Sequence, residues 1–111
     1  MVEGHKIKSK VGIREFFERI KKYKPENIIC TLHTFFRLSE GQRKIYTCEK
    51  LREYLLGREP KLVGIQNNGC WAVFYEHENQ RFLRVILDLK VNKVTIVTFY
   101  IIENTQLPII R

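Results

Sequence analysis

No stretch of this chain approaches the ~20 apolar residues that a membrane-spanning helix needs. The start, Met1-Val2-Glu3-Gly4-His5-Lys6, lacks the apolar segment of a secretory leader. The expected compartment is therefore the cytoplasm, with no membrane partner. Cysteine is sparse: Cys30, Cys48 and Cys70 are scattered and odd in number. None is spaced as Cys-x-x-Cys, so a disulfide framework and a cysteine zinc site are not expected, and all three read as buried thiols. There is no His-Glu-x-x-His and no paired Asp cluster, and His5 and His77 stand alone. No metal is expected. The six glycines never form Gly-x-Gly, so no phosphate-cradling loop is present, and there is no nucleophile elbow. No cofactor is expected.

What is present fits one domain. The 111 residues are 44% hydrophobic and 12% aromatic, enough to build a core and to confine disorder to the ends. The net charge is +8, a bias that favours a polyanion or an acidic protein. Through Lys24 there are eight basic side chains against three acidic ones, so most of the excess lies in the N-terminal quarter. A solvated helix face would show the same charge.

The hydropathy pattern predicts an α+β fold, with N-terminal helices followed by a four-stranded antiparallel meander. Residues 1–10 carry Lys6, Lys8 and Lys10, as a flexible basic arm or a short edge strand. Residues 11–57 read as the helical part. Ile13, Phe16, Phe17 and Ile20 fall at helical spacing among charged residues, and Pro25 ends that helix. A second helix is expected from Thr31 to about Leu38, with Leu32, Phe35 and Phe36 as its apolar stripe, broken by Ser39-Glu40-Gly41. Gln42–Tyr46 is a loop or a short turn. Thr47 is placed to cap a third helix that stops at Gly57. Residues 61–102 change to period two, and Asn67-Asn68-Gly69 is a tight-turn signal. The tail, residues 103–111, docks on the body or on a partner.

Two short patterns carry chemistry. His33 and Arg37, four apart on a helix, share a face at the boundary of the apolar stripe. Thr98 and Tyr100 alternate with Phe99 and so point to one face of the last strand. Each has an ordinary alternative: a helix-flank histidine with Arg37 paired to Glu40, and two residues of high strand propensity. Asp88 and Arg84 read as a surface ion pair on one strand. Taken together, the four suit RNA cleavage. RNA supplies its own 2′-OH nucleophile, histidine transfers protons near neutral pH, and arginine holds phosphate through a planar fork. Arg43 and Lys44 add further positive contacts, and Arg14, Lys21 and Lys22 lie on the basic N-terminal helix and its end.

The order of these motifs resembles the RelE/barnase–EndoU–colicin group of small RNase toxins, in a branch with His-x-x-x-Arg on an early helix and Thr-x-Tyr on the final strand. His33, Arg37, Thr98 and Tyr100 match. Arg43, the Thr47-capped helix, Asn68-Gly69 and Leu83-Arg84-Val85-Ile86 occupy similar places. The resemblance implies a metal-independent endoribonuclease acting as the toxin of a toxin–antitoxin pair. The implied catalytic residues are His33, Arg37, Thr98 and Tyr100, and RNA contacts fall to Arg43, Lys44, Arg14, Lys21 and Lys22. RNA, an antitoxin protein and a second copy of the chain are the partners to look for. A non-catalytic RNA-binding or protein-interaction domain of the same fold is the alternative.

Overall fold

The computed structural model describes residues 6–35 and 38–108. Its strands are β1 (Ile7–Lys10), β2 (Ile28–Cys30), β3 (Leu62–Gln66), β4 (Trp71–His77), β5 (Arg81–Leu89) and β6 (Val94–Glu103). Its α-helices are α1 (Ile13–Ile20), α2 (Glu40–Ile45) and α3 (Cys48–Gly57). Short 3-10 turns cover Pro25–Asn27, Leu32–Phe35 and Asn104–Gln106.

The six strands form one mixed sheet in the order β1-β3-β4-β5-β6-β2. This overturns the expected four-stranded antiparallel meander preceded by N-terminal helices. The strands β3 to β6 are only the interior of the sheet. At one edge β1 pairs antiparallel with β3, so part of the basic arm is a strand. At the other edge β2 pairs parallel with β6, with Ile28 opposite Val94 and Cys30 opposite Ile96. Helix α1 carries the chain from the first edge toward the second, so β2 arrives in a parallel sense. The short helices thus alternate with strands. A three-residue strand shows no measurable period, and that is why the sequence hid β2 inside a helical stretch.

Local chemistry explains the other elements. Phe16 and Ile20 of α1 are fully buried, as their spacing requires. Thr47 Oγ1 accepts the Lys50 amide at 3.1 Å and starts α3. Ser39 does not simply break a helix; it caps α2 in a capping box with Gln42. Gly69 closes the β3–β4 turn at φ +87°. Asn79 and Gln80, at φ 58° and 60°, form the mirror-image turn that a twisted β4–β5 hairpin prefers.

The two faces of the sheet differ. One packs Val63, Val73, Tyr75, Leu83, Val85, Leu87 and Ile96 against Phe16, Ile20, Leu51 and Leu55 of α1 and α3. The other holds a smaller cluster of Ala72, Phe74 and Ile86, against which Tyr100, Ile102 and Leu107 pack. The tail therefore returns to the body at Leu107. Among the described residues no helix is long and apolar enough to cross a membrane.

Candidate functional site

The geometry around His33 is built by Thr34. Its hydroxyl accepts the Thr31 amide at 2.9 Å and donates to the Ile96 carbonyl of β6 at 2.6 Å. Only 3% of Thr34 is exposed. These two bonds turn the chain sharply after β2 and pin Leu32–Phe35 beside β6. The Phe35 ring then meets the edge of Phe99 on β6, 6.2 Å between centroids. The expected α-helix from Thr31 is a four-residue 3-10 turn instead. Leu32, assigned above to an apolar stripe, is 96% exposed. His33 is exposed on the same turn. Phe36 and Arg37 lie outside the described residues. The four-apart adjacency of His33 and Arg37 presumes α-helical geometry, whereas a 3-10 turn stacks residues three apart.

Arg43 comes to this turn from α2. Its Nε donates to the Phe35 carbonyl at 3.2 Å. Lys44 follows it, exposed, in the last turn of α2. Leu32, Phe35, Arg43, Tyr46, Thr47 and Cys48 line a hollow of about 430 Å³.

Cys48 belongs to a disulfide. Cys30, at the end of β2, bridges to Cys48, the first residue of α3, with Cα atoms 5.9 Å apart. This corrects the buried-thiol reading for two of the three cysteines. Eighteen positions separate them, and no spacing rule links them; only the docking of β2 beside α3 brings them together. Cys70 is the remaining free thiol, and burial raises its pKa. The bridge closes the segment that carries His33 and Arg43.

Thr98 and Tyr100 do share a face of β6. Their cross-strand partners are Ile86 and Arg84, on the side of the sheet away from α1 and α3. Between Ile86 and Leu87 the register shifts, because Val97 is an extra residue on β6. Such a bulge re-aims the side chains beside it, here Thr98. Arg84 is buried. It donates from Nη2 to Gln66 Oε1 at 2.7 Å and lies 5.2 Å over the Phe74 ring. Burial lowers its pKa, and neighbouring Tyr100 opposes that shift. The expected Arg84–Asp88 pair does not form. Four residues of strand separate them by about 13 Å, and Asp88 meets Lys90 at 3.7 Å instead.

The basic residues of the N-terminal quarter flank a groove of about 920 Å³. Arg14, Arg19 and Lys22 line it together with Glu15, Glu18, Tyr23 and Trp71. The Arg19 guanidinium lies 5.1 Å from the Trp71 ring centre. Arg14 reaches Glu18 at 3.9 Å, and Lys21 covers Phe17 at 4.1 Å. Among the described residues no group of three or more His, Cys, Asp or Glu is placed to hold a metal.

The chain matches no known family model, no curated protein and no solved structure.

Sequence reasoning missed one constellation. His77, read above as standing alone, has its Nε2 3.1 Å from the Tyr46 hydroxyl. Thirty-one positions separate the two. The weak signal was Tyr46 itself, an aromatic just before the Thr47 cap. Burial, then Tyr54 and Glu78, raise the pKa of Tyr46, so its phenol keeps its proton.

Proposed function

We propose that this protein is a metal-independent endoribonuclease of the toxin type, acting on cytoplasmic RNA at the corner where the Leu32–Phe35 turn meets α2 and β6. One observation supports the reading above the rest. Arg43 is tied to the Phe35 carbonyl while Thr34 ties the same turn to β6. An exposed imidazole thus stands on an anchored turn to which a guanidinium is tied, and Leu32, Phe35 and Arg43 of that corner line the hollow.

In this reading His33 takes the 2′-OH proton as O2′ attacks phosphorus. Arg43 stabilises the charge that builds on the phosphorane oxygens, with Arg37 as a second clamp. The bond to the 5′ oxygen breaks, and that oxygen takes a proton from the imidazolium or from water. The products are a 2′,3′-cyclic phosphate and a 5′-OH. β6 presents Thr98 and Tyr100 on the face opposite the Phe35–Phe99 contact, so in this reading they serve as a separate polar station for the strand and not as partners of the His33 imidazole. Arg14, Lys21, Lys22 and Lys44 steer the strand electrostatically, so binding weakens as salt rises. An antitoxin and a second copy of the chain are partners of this reading, with no surface assigned to either.

The alternative is a non-catalytic RNA-binding module. The half-exposed Trp71 beneath Arg19, in a groove with Arg14 and Lys22, favours it, because stacking and cationic contacts hold single strands without cleavage. One experiment separates the two. Purified protein and its His33→Ala variant are incubated with mixed RNA and a chelator. Cyclic-phosphate ends that disappear in the folded variant support the nuclease. Retention of RNA without fragments supports the module.

A further inference from the structure

Beside the His33 corner, across Tyr46, lies a second hollow of about 660 Å³. Tyr46 is a wall of both. Helix α3 turns Lys50 and Tyr54 toward it, four residues apart and so on one helical face. Arg58, the C-cap of α3, continues that line and stacks on the Tyr54 ring at 4.3 Å. The opposite wall is the end of β4, with Glu76 and His77, followed by Glu78.

The charges do not cancel evenly. Glu76 is engaged by Lys61 at 3.2 Å. Arg81, across from His77 in β5, is engaged by Glu103 at 3.1 Å. With Lys61 counted, the cations Lys50, Arg58 and Lys61 thus stand at the hollow against Glu76 and Glu78. Tyr46, which remains a phenol, fixes His77. When it donates to Nε2, the neutral ring carries its proton on Nδ1. When the ring is protonated, Nε2 donates to the phenol oxygen and Nδ1 still bears hydrogen. In these two states one ring N–H is left to give to an acceptor, whereas in the neutral tautomer with the proton on Nε2 the phenol accepts and Nδ1 offers only a lone pair. Tyr46 is itself held against the Phe99 ring at 5.4 Å, so this donor sits on rigid support.

We infer that this hollow is a second phosphate subsite, in which Lys50, Arg58 and His77 Nδ1 bind a phosphate of the same RNA strand whose scissile phosphate lies at the His33 corner. The inference rests on the RNA reading above but not on cleavage. A tyrosine floor between two cationic stations suits a single strand, whose phosphates repeat along a track while its bases turn aside. The subsite extends the substrate beyond one nucleotide and makes chain length part of recognition.

The test uses the full chain carrying His33→Ala, so that bound RNA stays whole. Affinity for a short oligouridylate is measured across a salt series, with and without Lys50→Ala/Arg58→Ala, and the His77 ring protons are followed by NMR. The expected result is a salt slope reduced by about 0.7 in the double variant, because it neutralises one fewer phosphate of a single strand. A displacement of the His77 signals by the oligomer, and by inorganic phosphate alone, should accompany it and vanish in the double variant. An unchanged slope with silent His77 signals overturns the subsite even if the wild type cleaves RNA. A reduced slope with no cleavage by the wild type keeps the subsite and removes the nuclease. A circular dichroism spectrum matching the parent guards against misfolding, since all three side chains are surface groups.

Discussion

The two faces of the sheet follow different rules. The face under α1 and α3 is a dry core of aliphatic and aromatic side chains. The opposite face has a small apolar cluster interrupted by Arg84, Gln66, Thr98 and Tyr100. The first holds the fold together by area removed from water. The second gives part of its surface to polar groups that must find partners inside the protein. Most of the aliphatic burial thus lies on one side of the sheet and the buried Arg84–Gln66 contact on the other, and β6 contributes to both.

Mutations can test that division. Phe16→Ala, at the centre of the covered face, should cost about 3–5 kcal/mol. Denaturant unfolding measures it, and a loss below ~1 kcal/mol would mean that α1 is not integral to the core. Next comes the bridge at the sheet edge. Cys48→Ser should cost about 3 kcal/mol, the loop entropy of a crosslink of this span. Adding reductant to the parent should shift its melting equally, and indifference to reductant would show that the bridge does not form in solution. On the polar face, Gln66→Leu removes the acceptor of a charged donor and should cost about 2 kcal/mol. A neutral result would show that Arg84 is served fully by its other neighbours.

The smallest effect has the opposite sign. The Tyr75 hydroxyl is buried on the covered face without a hydrogen-bond partner among the described residues. Tyr75→Phe should therefore stabilise by about 1 kcal/mol, since a lone buried polar group carries its desolvation cost uncompensated. The same group sets a pH limit. Burial raises its pKa above the unfolded value of about 10. The folded state thus holds the proton more tightly, and the resulting stability is complete below pH ~10 and lost as pH rises further. Unfolding midpoints at neutral and strongly alkaline pH should diverge less in Tyr75→Phe than in the parent.

Legibility in the sequence followed the range of each interaction. The Ile13–Ile20 spacing, the Thr47 cap and the Asn67–Gly69 turn are written within a few residues, and each appears as read. The β2–β6 pairing, the Cys30–Cys48 bridge and the Tyr46–His77 contact join segments far apart in the chain. No local propensity encodes them. The Leu32–Phe35 turn failed for another reason. Its apolar spacing suits an α-helix, but the Thr34 hydroxyl competes for backbone groups and fastens the segment to β6. At the candidate site, the same-face placement of Thr98 and Tyr100 was legible because strand alternation is local. The tie from Arg43 to the His33 turn was not.

The outermost strand has a consequence of its own. β1 is four residues long, irregular between Ile7 and Ser9, and its Lys8 and Lys10 point outward. At the far side β2 offers only three residues. A neighbouring molecule seeking to continue the sheet meets ammonium groups at the β1 margin, whereas at the far margin β2 covers only Val94–Ile96 of the ten-residue β6. Strand addition is therefore disfavoured at the β1 margin and directed to the part of β6 beyond Ile96.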